Sequence, residues 1–257
     1  MTQTINLNNL KEDIVSGNSI LFVGAGISMG AGLPGWVTLA RPLASEVNFR
    51  LPTESEDITA QHLLNAFQHY ENENGRALLI KKTRSALDTT RIDPTSVHTA
   101  LTCLPVKTIF TTNYDHLIEE AFRKERKQRD LIVSESQLAL SNEAVTKIIN
   151  LCGDIEQPDS LLITATDFNA FSDKRPNMLA RLRNDLISKT ALFIGYSLQD
   201  PFFNQIWDRI GFSFGKMQRP AYAVMFDADE NSISDLKARN IKAINIQGAK
   251  DKNASLT

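Results

Sequence analysis

The sequence predicts an α/β fold, a Rossmann-like parallel sheet flanked by helices, with a helical insert after the first strand. Three observations carry that expectation. Apolar runs of strand length recur along the chain, each followed by a stretch of helical periodicity, as in a parallel sheet covered on both faces. The first run ends in a glycine-rich turn, GAGIS, of the kind that leads from a buried strand into a helix. The stretch from Trp36 to Leu104 breaks the alternation and reads as helix after helix.

Taken in order, a short amphipathic helix leads through Ser16-Gly17-Asn18 into the first run, Ser19 to Gly26. The insert, about residues 36–104, contains HLLNAFQHY and RALLIKKTRSAL, both with apolar residues at helical spacing. Pro105 introduces the second strand, VKTIFTTN (Val106 to Asn113), and HLIEEAFRK follows as a helix. Further strands are expected at Leu131 to Val133, in VTKIINLCG ending at Gly153, in ALFIGYS ending at Ser197, in AYAVMFD ending at Asp227 and in IKAINI. Helical patterns separate several of them, notably NMLARLRNDLIS and Pro201 to Ile210. With no internal repeat or linker to mark a second unit, residues 1–257 read as one domain carrying the insert.

Composition narrows the functions. With 28 basic against 30 acidic residues, the net charge of −2 leaves no electrostatic footprint for nucleic acid or a membrane surface. The basic run from Arg123 to Arg129 is interrupted by Glu125 and reads as the solvated end of a helix. No run approaches the ~20 apolar residues of a membrane span, and the polar N-terminus does not read as a signal peptide. Cys103 and Cys152 form no CxxC pair, and the four histidines lack ligand spacing, so no metal is expected and a reducing cytoplasm fits.

The glycine-rich turn, Gly24 to Ser28, suits phosphate chemistry, because glycine lets backbone N–H groups approach a pyrophosphate closely. Such a turn is also common as pure structure. Gly30, Gly32 and Gly35 do not continue the GxGxxG spacing, and helices occupy the region where a ribose-binding acid would close a second strand. A hydride-transferring dehydrogenase is therefore disfavoured.

Three segments together add a family resemblance. GAGISMGAGLPGW (Gly24 to Trp36) resembles the sirtuin GAGIS…GIP segment. TTNYDHLIE (Thr111 to Glu119) resembles the sirtuin TQNID signature, with Asn113 and Asp115 on the matching positions. FIGYSLQDP (Phe193 to Pro201) resembles the later G-[TS]-S-L loop, matching at Gly195, Ser197 and Leu198. All three lie at the C-terminal ends of expected strands, where an open parallel sheet forms its ligand crevice. With GDIEQPDSLLITATDF, these strings look most like the bacterial sirtuin-like effectors of antiphage defence systems.

That resemblance implies an enzyme that hydrolyses NAD to nicotinamide and ADP-ribose. It carries over a ligand site of Gly24, Ala25, Gly26, Ser28, Pro34, Trp36, Asn113, Asp115, Gly195, Ser197 and Leu198. Asn113 would orient the ribose hydroxyls or the attacking water. Asp115 would contact the ribose or fix its loop, with capping of the next helix as an equal alternative. A homo-oligomer, a partner subunit or an additional domain is implied as well, the chain ending in KDKNASLT just after its last strand. The four-cysteine zinc ribbon of the deacylases is absent, since there are two cysteines.

The pattern breaks at one position. Where the family carries a histidine before glycine, this chain reads Asn150-Leu151-Cys152-Gly153-Asp154. An ordinary thiol, pKa about 8.5, is mostly protonated at neutral pH and needs a cation to act as a base. No cation adjoins Cys152 in sequence, although its strand is expected to hold it at the mouth of the crevice. His98 reads as capping or packing, His116 as a helix-face residue that could also approach the pocket, and His62 and His69 lie on the insert. Two functions follow: a NAD hydrolase using Asn113, Asp115 and residue 152, or a degenerate sensor that binds NAD or ADP-ribose and gates a partner. A structural subunit using the fold only as an assembly surface is a third.

Overall fold

The computed structural model describes residues 7–54, 58–198 and 201–248. Strands β1 (Ser19–Val23), β2 (Thr108–Thr111), β3 (Arg129–Ile132), β4 (Thr146–Asn150), β5 (Thr190–Ile194), β6 (Ala221–Phe226) and β7 (Ile241–Ile246) form one sheet. Their order is β3-β4-β2-β1-β5-β6-β7, and every neighbouring pair is parallel. The expected Rossmann-like sheet is present.

Before and within the insert run α1 (Asn8–Val15), α2 (Ala25–Gly30), α3 (Trp36–Glu46), α4 (Ala60–Asn74), α5 (Arg76–Ala86) and α6 (Ser96–Cys103). After it come α7 (Leu117–Lys124), α8 (Glu135–Ala139), α9 (Ala165–Asn169), α10 (Phe171–Lys174), α11 (Pro176–Ser188), α12 (Pro201–Phe214) and α13 (Glu230–Ala238). Side chains alternate across a strand, so β1 feeds two cores at once. Ile20 and Phe22 pack with Leu182 of α11, Trp207 of α12 and Leu236 of α13. Leu21 and Val23 face Leu10 of α1, Leu101 of α6 and Phe122 of α7.

The third core belongs to the insert. Leu43 of α3, Phe67 and Tyr70 of α4 and Leu79 of α5 bury one another, together with Tyr114, Cys152, Ile155 and Ile163 from the sheet's loops. The insert expected over 36–104 therefore splits. Helices α3 to α5 form the module, whereas α6 packs on the sheet through Leu101. A charged hub fastens the module down: Arg76 of α5 donates to Asp167 at 2.7 Å and to the Leu161 carbonyl at 2.6 Å. The guanidinium, Lys174 and backbone N–H donors hold the Asp167 carboxyl down to about 2 despite its burial.

Two histidines make capping boxes. His62 closes one with Thr59 on α4, and His98 another with Thr95 on α6. His98 is fully buried, and loss of hydration of its charged form pushes its pKa down to about 4. Its sequence reading as a capping residue describes what it does.

Central β1 is where the topology reverses: its partners are β2 on one side and β5 on the other. The register sets Val23 beside Thr111 and Ile194, and Thr111 beside Asn150. Four strand tips thus end level, at the switch point where such sheets build ligand sites.

Candidate active site

The glycines of the first turn join two strand tips. Gly24 donates its N–H to the Ile194 carbonyl at 3.0 Å, and Gly26 to the Gly195 carbonyl at 2.8 Å. A Cβ on Gly24 would meet the Gly195 oxygen at 2.6 Å, and one on Gly26 the Gly195 Cα at 2.8 Å. Gly195 itself sits at φ +62. Close backbone approach is why glycine is needed, but the approach is between β1 and β5. These two N–H groups are engaged with the protein.

Beside this junction lies a pocket of about 340 Å³, counting its open mouth. It is lined by Ala25, Ser28, Leu33, Pro34, Trp36, Leu39, Leu87, Asn113, Tyr114 and Asp115. Six of the sequence-derived site residues meet there: Ala25, Ser28, Pro34, Trp36, Asn113 and Asp115. Trp36 spans pocket and insert, its ring 5.9 Å from Tyr114 and 5.7 Å from Phe67.

Asn113 ties the site together. Its Nδ2 donates to the Gly24 carbonyl at 3.3 Å and to Ser28 Oγ at 3.1 Å. A carbonyl can only accept, which fixes the orientation of the amide. The opposite atom, Oδ1, is buried with no hydrogen-bond partner among the described residues. A buried acceptor left open in a pocket wall is a seat for a ligand hydroxyl or water.

Ser28 relays onward to Asp115, whose carboxyl it hydrogen-bonds. Asp115 also accepts from the N–H of Leu117, the first residue of α7, at 3.1 Å, and lines the pocket at the same time. Burial raises its pKa, because the charge is removed from water. One turn along α7, Glu119 is buried too and is pushed up to about 7 by the same loss of hydration.

Cys152 departs from expectation. Its strand was expected to hold it at the mouth of the crevice, yet it is 2% exposed and packs in the insert core. It is not among the residues lining the pocket. The backbone turns it inward: the Cys152 N–H is bound to Asn150 Oδ1, and its carbonyl accepts from the Leu162 N–H at 2.8 Å. Gly153 follows at φ +92, where a Cβ would meet the Ser160 oxygen. A cation is near after all, supplied by tertiary structure. Buried Arg175 donates to the Asn150 and Leu151 carbonyls at 3.0 and 2.6 Å, within electrostatic reach of the thiol.

A pair that sequence reading did not assemble stands close by. His116 Nε2 lies 2.6 Å from Asp154 Oδ1. The Asp154 carboxylate raises the His116 pKa against the opposing effect of burial. These residues are 38 apart, and the available signal was the acid that follows Gly153. On the β5 side, Gly195 belongs to the glycine junction, Ser197 is exposed, and Leu198 is a core residue at φ +58. Gln199 and Asp200 of that segment, like KDKNASLT at the C-terminus, lie outside the described residues.

Residues 107–244 match the model of the SIR2-like domain, more than half of the chain. The chain belongs to the SIR2-like family. Curated relatives include the NAD(+) hydrolase ThsA of Bacillus cereus, 31% identical over 93% of this chain and 53% of the relative. The protein of that name from Acinetobacter baumannii is 33% identical, over 86% of this chain and 45% of its own length. This SIR2-like chain therefore spans about half the length of the curated relatives it matches. A solved Sir2 homologue in complex with ADP-ribose shares the fold, with a TM-score of 0.53, 14% identity and coverage of 97% and 93%. Among the described residues, no helix is long and apolar enough to cross a membrane.

Proposed function

We propose that this SIR2-like domain hydrolyses NAD to nicotinamide and ADP-ribose, and that it acts as a NAD-depleting effector of antiphage defence in the cytoplasm. The observation that carries this reading is Asn113. Asn113 lines the pocket with Ser28, Trp36 and Asp115, its buried Oδ1 has no hydrogen-bond partner among the described residues, and its Nδ2 is held by Gly24 and Ser28. That geometry suits an acceptor for a ribose hydroxyl or for the attacking water. The likeness to relatives named NAD(+) hydrolase supports it.

The chemistry asks for little covalent assistance. Nicotinamide leaves as a neutral group while positive charge develops on the ribose. Asp115, at the pocket wall, can stabilise that charge when ionised, and positioning supplies much of the rest. No metal takes part in this reading. Control by a further domain, a partner chain or a second copy belongs to the proposal, since the named hydrolases are about twice as long.

A second reading, a NAD or ADP-ribose sensor, is favoured by the withdrawal of residue 152 into the core. Chromatography of NAD incubated with the purified chain separates the two. Nicotinamide and ADP-ribose accumulating together support the hydrolase. NAD that binds and is recovered intact overturns it in favour of the sensor.

A further inference from the structure

Proton acceptance requires a base that can exchange protons with water, and the pocket walls do not offer an obvious one. Cys152 is buried in the insert core. Asp115 and Glu119 are enclosed carboxyls, each pushed up by burial. His116 differs from all three, because its side chain is 34% exposed while its partner Asp154 is 4% exposed.

The partner is built for orientation. Besides His116, the Asp154 carboxylate accepts from the Glu156 N–H at 2.8 Å and from Gln157 Nε2 at 3.3 Å. Its own N–H is bound to Ser160 Oγ at 3.0 Å. Asp154 is thereby fixed by the turn that follows β4, and it fixes His116 in turn. With Nε2–H donated to Asp154, the neutral ring carries its lone pair on Nδ1, which makes no hydrogen bond among the described residues. His116 is not itself among the residues lining the pocket, but it follows directly on Asp115, which is, and unlike Cys152 it is open to solvent.

We propose that the His116–Asp154 pair supplies the proton acceptor that Cys152 cannot, taking a proton from the water that attacks the ribose. The proposal rests on the hydrolase reading. In the step, the water oxygen bonds to C1′ of the nicotinamide ribose as the bond from C1′ to the pyridinium nitrogen breaks. The electron pair of the breaking bond stays on nicotinamide and neutralises it. The water proton passes to His116 Nδ1 and later to solvent, and ADP-ribose is released. No oxidant or other co-reactant is required. The groups facing the ring are carboxyls, Asp154, Glu119 and Asp115, and all favour its charged form.

This arrangement has a pH signature. His116 is a base only when neutral, and Asp154 raises its pKa, so hydrolysis rises through a titration above the ordinary histidine value. The test measures kcat, KM and their pH dependence for the wild-type chain, His116→Gln and Asp154→Asn, with melting temperature and calorimetric NAD binding as checks of integrity. His116→Gln is expected to lose about 100-fold in kcat, to keep NAD binding, and to lose the rising limb. Asp154→Asn is expected to lower the rate and to move the limb to lower pH, because the carboxylate that raised the pKa is gone.

Proton NMR of the four histidine rings gives a readout independent of activity. The His116 resonance should titrate above 6.5 in wild type and lower in Asp154→Asn. A folded, NAD-binding His116→Gln that retains the wild-type rate and limb overturns the pair while leaving the hydrolase reading intact. A wild-type chain that binds NAD without cleaving it removes both. If either variant fails to fold, an unshifted His116 titration in the wild-type spectrum still overturns the proposal.

Discussion

Replacing Gly24 with alanine tests whether the glycine turn is a junction between strands. Gly24 has φ −116, which alanine adopts freely, so backbone strain contributes nothing. The added methyl would stand 2.6 Å from the Gly195 oxygen and 2.7 Å from the Tyr196 Cα. Both neighbours are backbone and cannot swing aside. Relief to ordinary contact means moving the β1 and β5 tips apart by roughly 0.8 Å. That displacement stretches the Gly24 and Gly26 hydrogen bonds to the β5 tip, each worth about 1 kcal/mol. Stretched rather than broken, the bonds lose only part of that, and with overpacking in the range of about 1–3 kcal/mol the total should be about 2–3 kcal/mol. For a domain of this size that is a fall in Tm of roughly 5–10 °C. Gly17→Ala is the control: it has φ +75 and open space within 4 Å, so strain of about 1 kcal/mol acts alone. Thermal melts followed by circular dichroism compare the two. A Gly24→Ala chain no less stable than Gly17→Ala would refute the junction.

Other outcomes follow from the same geometry. Asn113→Ala should abolish nicotinamide release, and it should cost about 1–2 kcal/mol, because it also frees the Gly24 carbonyl and Ser28; chromatography and a urea melt measure the two effects. Stability should fall as pH drops from about 6.5 towards 4, because buried His98 resists the proton that the unfolded chain accepts. The loss, about 2 kcal/mol between pH 7 and pH 5, should be largely absent from His98→Gln in melts at those two values. Cys152→Ser should keep kcat within a few fold, since the thiol does not line the pocket, while destabilising the insert core by about 1 kcal/mol. A 100-fold loss of activity in a folded Cys152→Ser chain would return the thiol to the chemistry.

Much of this was legible in the sequence, for identifiable reasons. Buried parallel strands read as apolar runs, and Ile20, Leu21, Phe22 and Val23 are all at most 1% exposed. The tips carrying Ser28, Asn113 and Asp115 follow such runs, so strand ends located the pocket before any geometry was known. What escaped depends on distance in sequence. The direction in which Cys152 points is set by Asn150, Leu162 and the Gly153–Ser160 contact, not by its place after a strand. Arg175 reaches that region from between α10 and α11, and Arg76 reaches Asp167 from 91 residues away. His116 looked like one more helix-face residue, because its partner lies on another loop. The glycines were expected to approach a ligand, and the structure shows their close approach to another loop's backbone. Sequence indicates that closeness is needed without saying to what.

The central claim is that this pocket cleaves the glycosidic bond of NAD at the ribose that Asn113 orients. Proton NMR of NAD with the purified chain follows that bond directly, through the nicotinamide ring and the ribose C1′ proton. The account predicts that free nicotinamide and ADP-ribose appear in equal amounts with wild type, and that neither appears with a folded, NAD-binding Asn113→Ala chain. Equal rates from the two chains, or NAD that remains intact while bound to wild type, would contradict it.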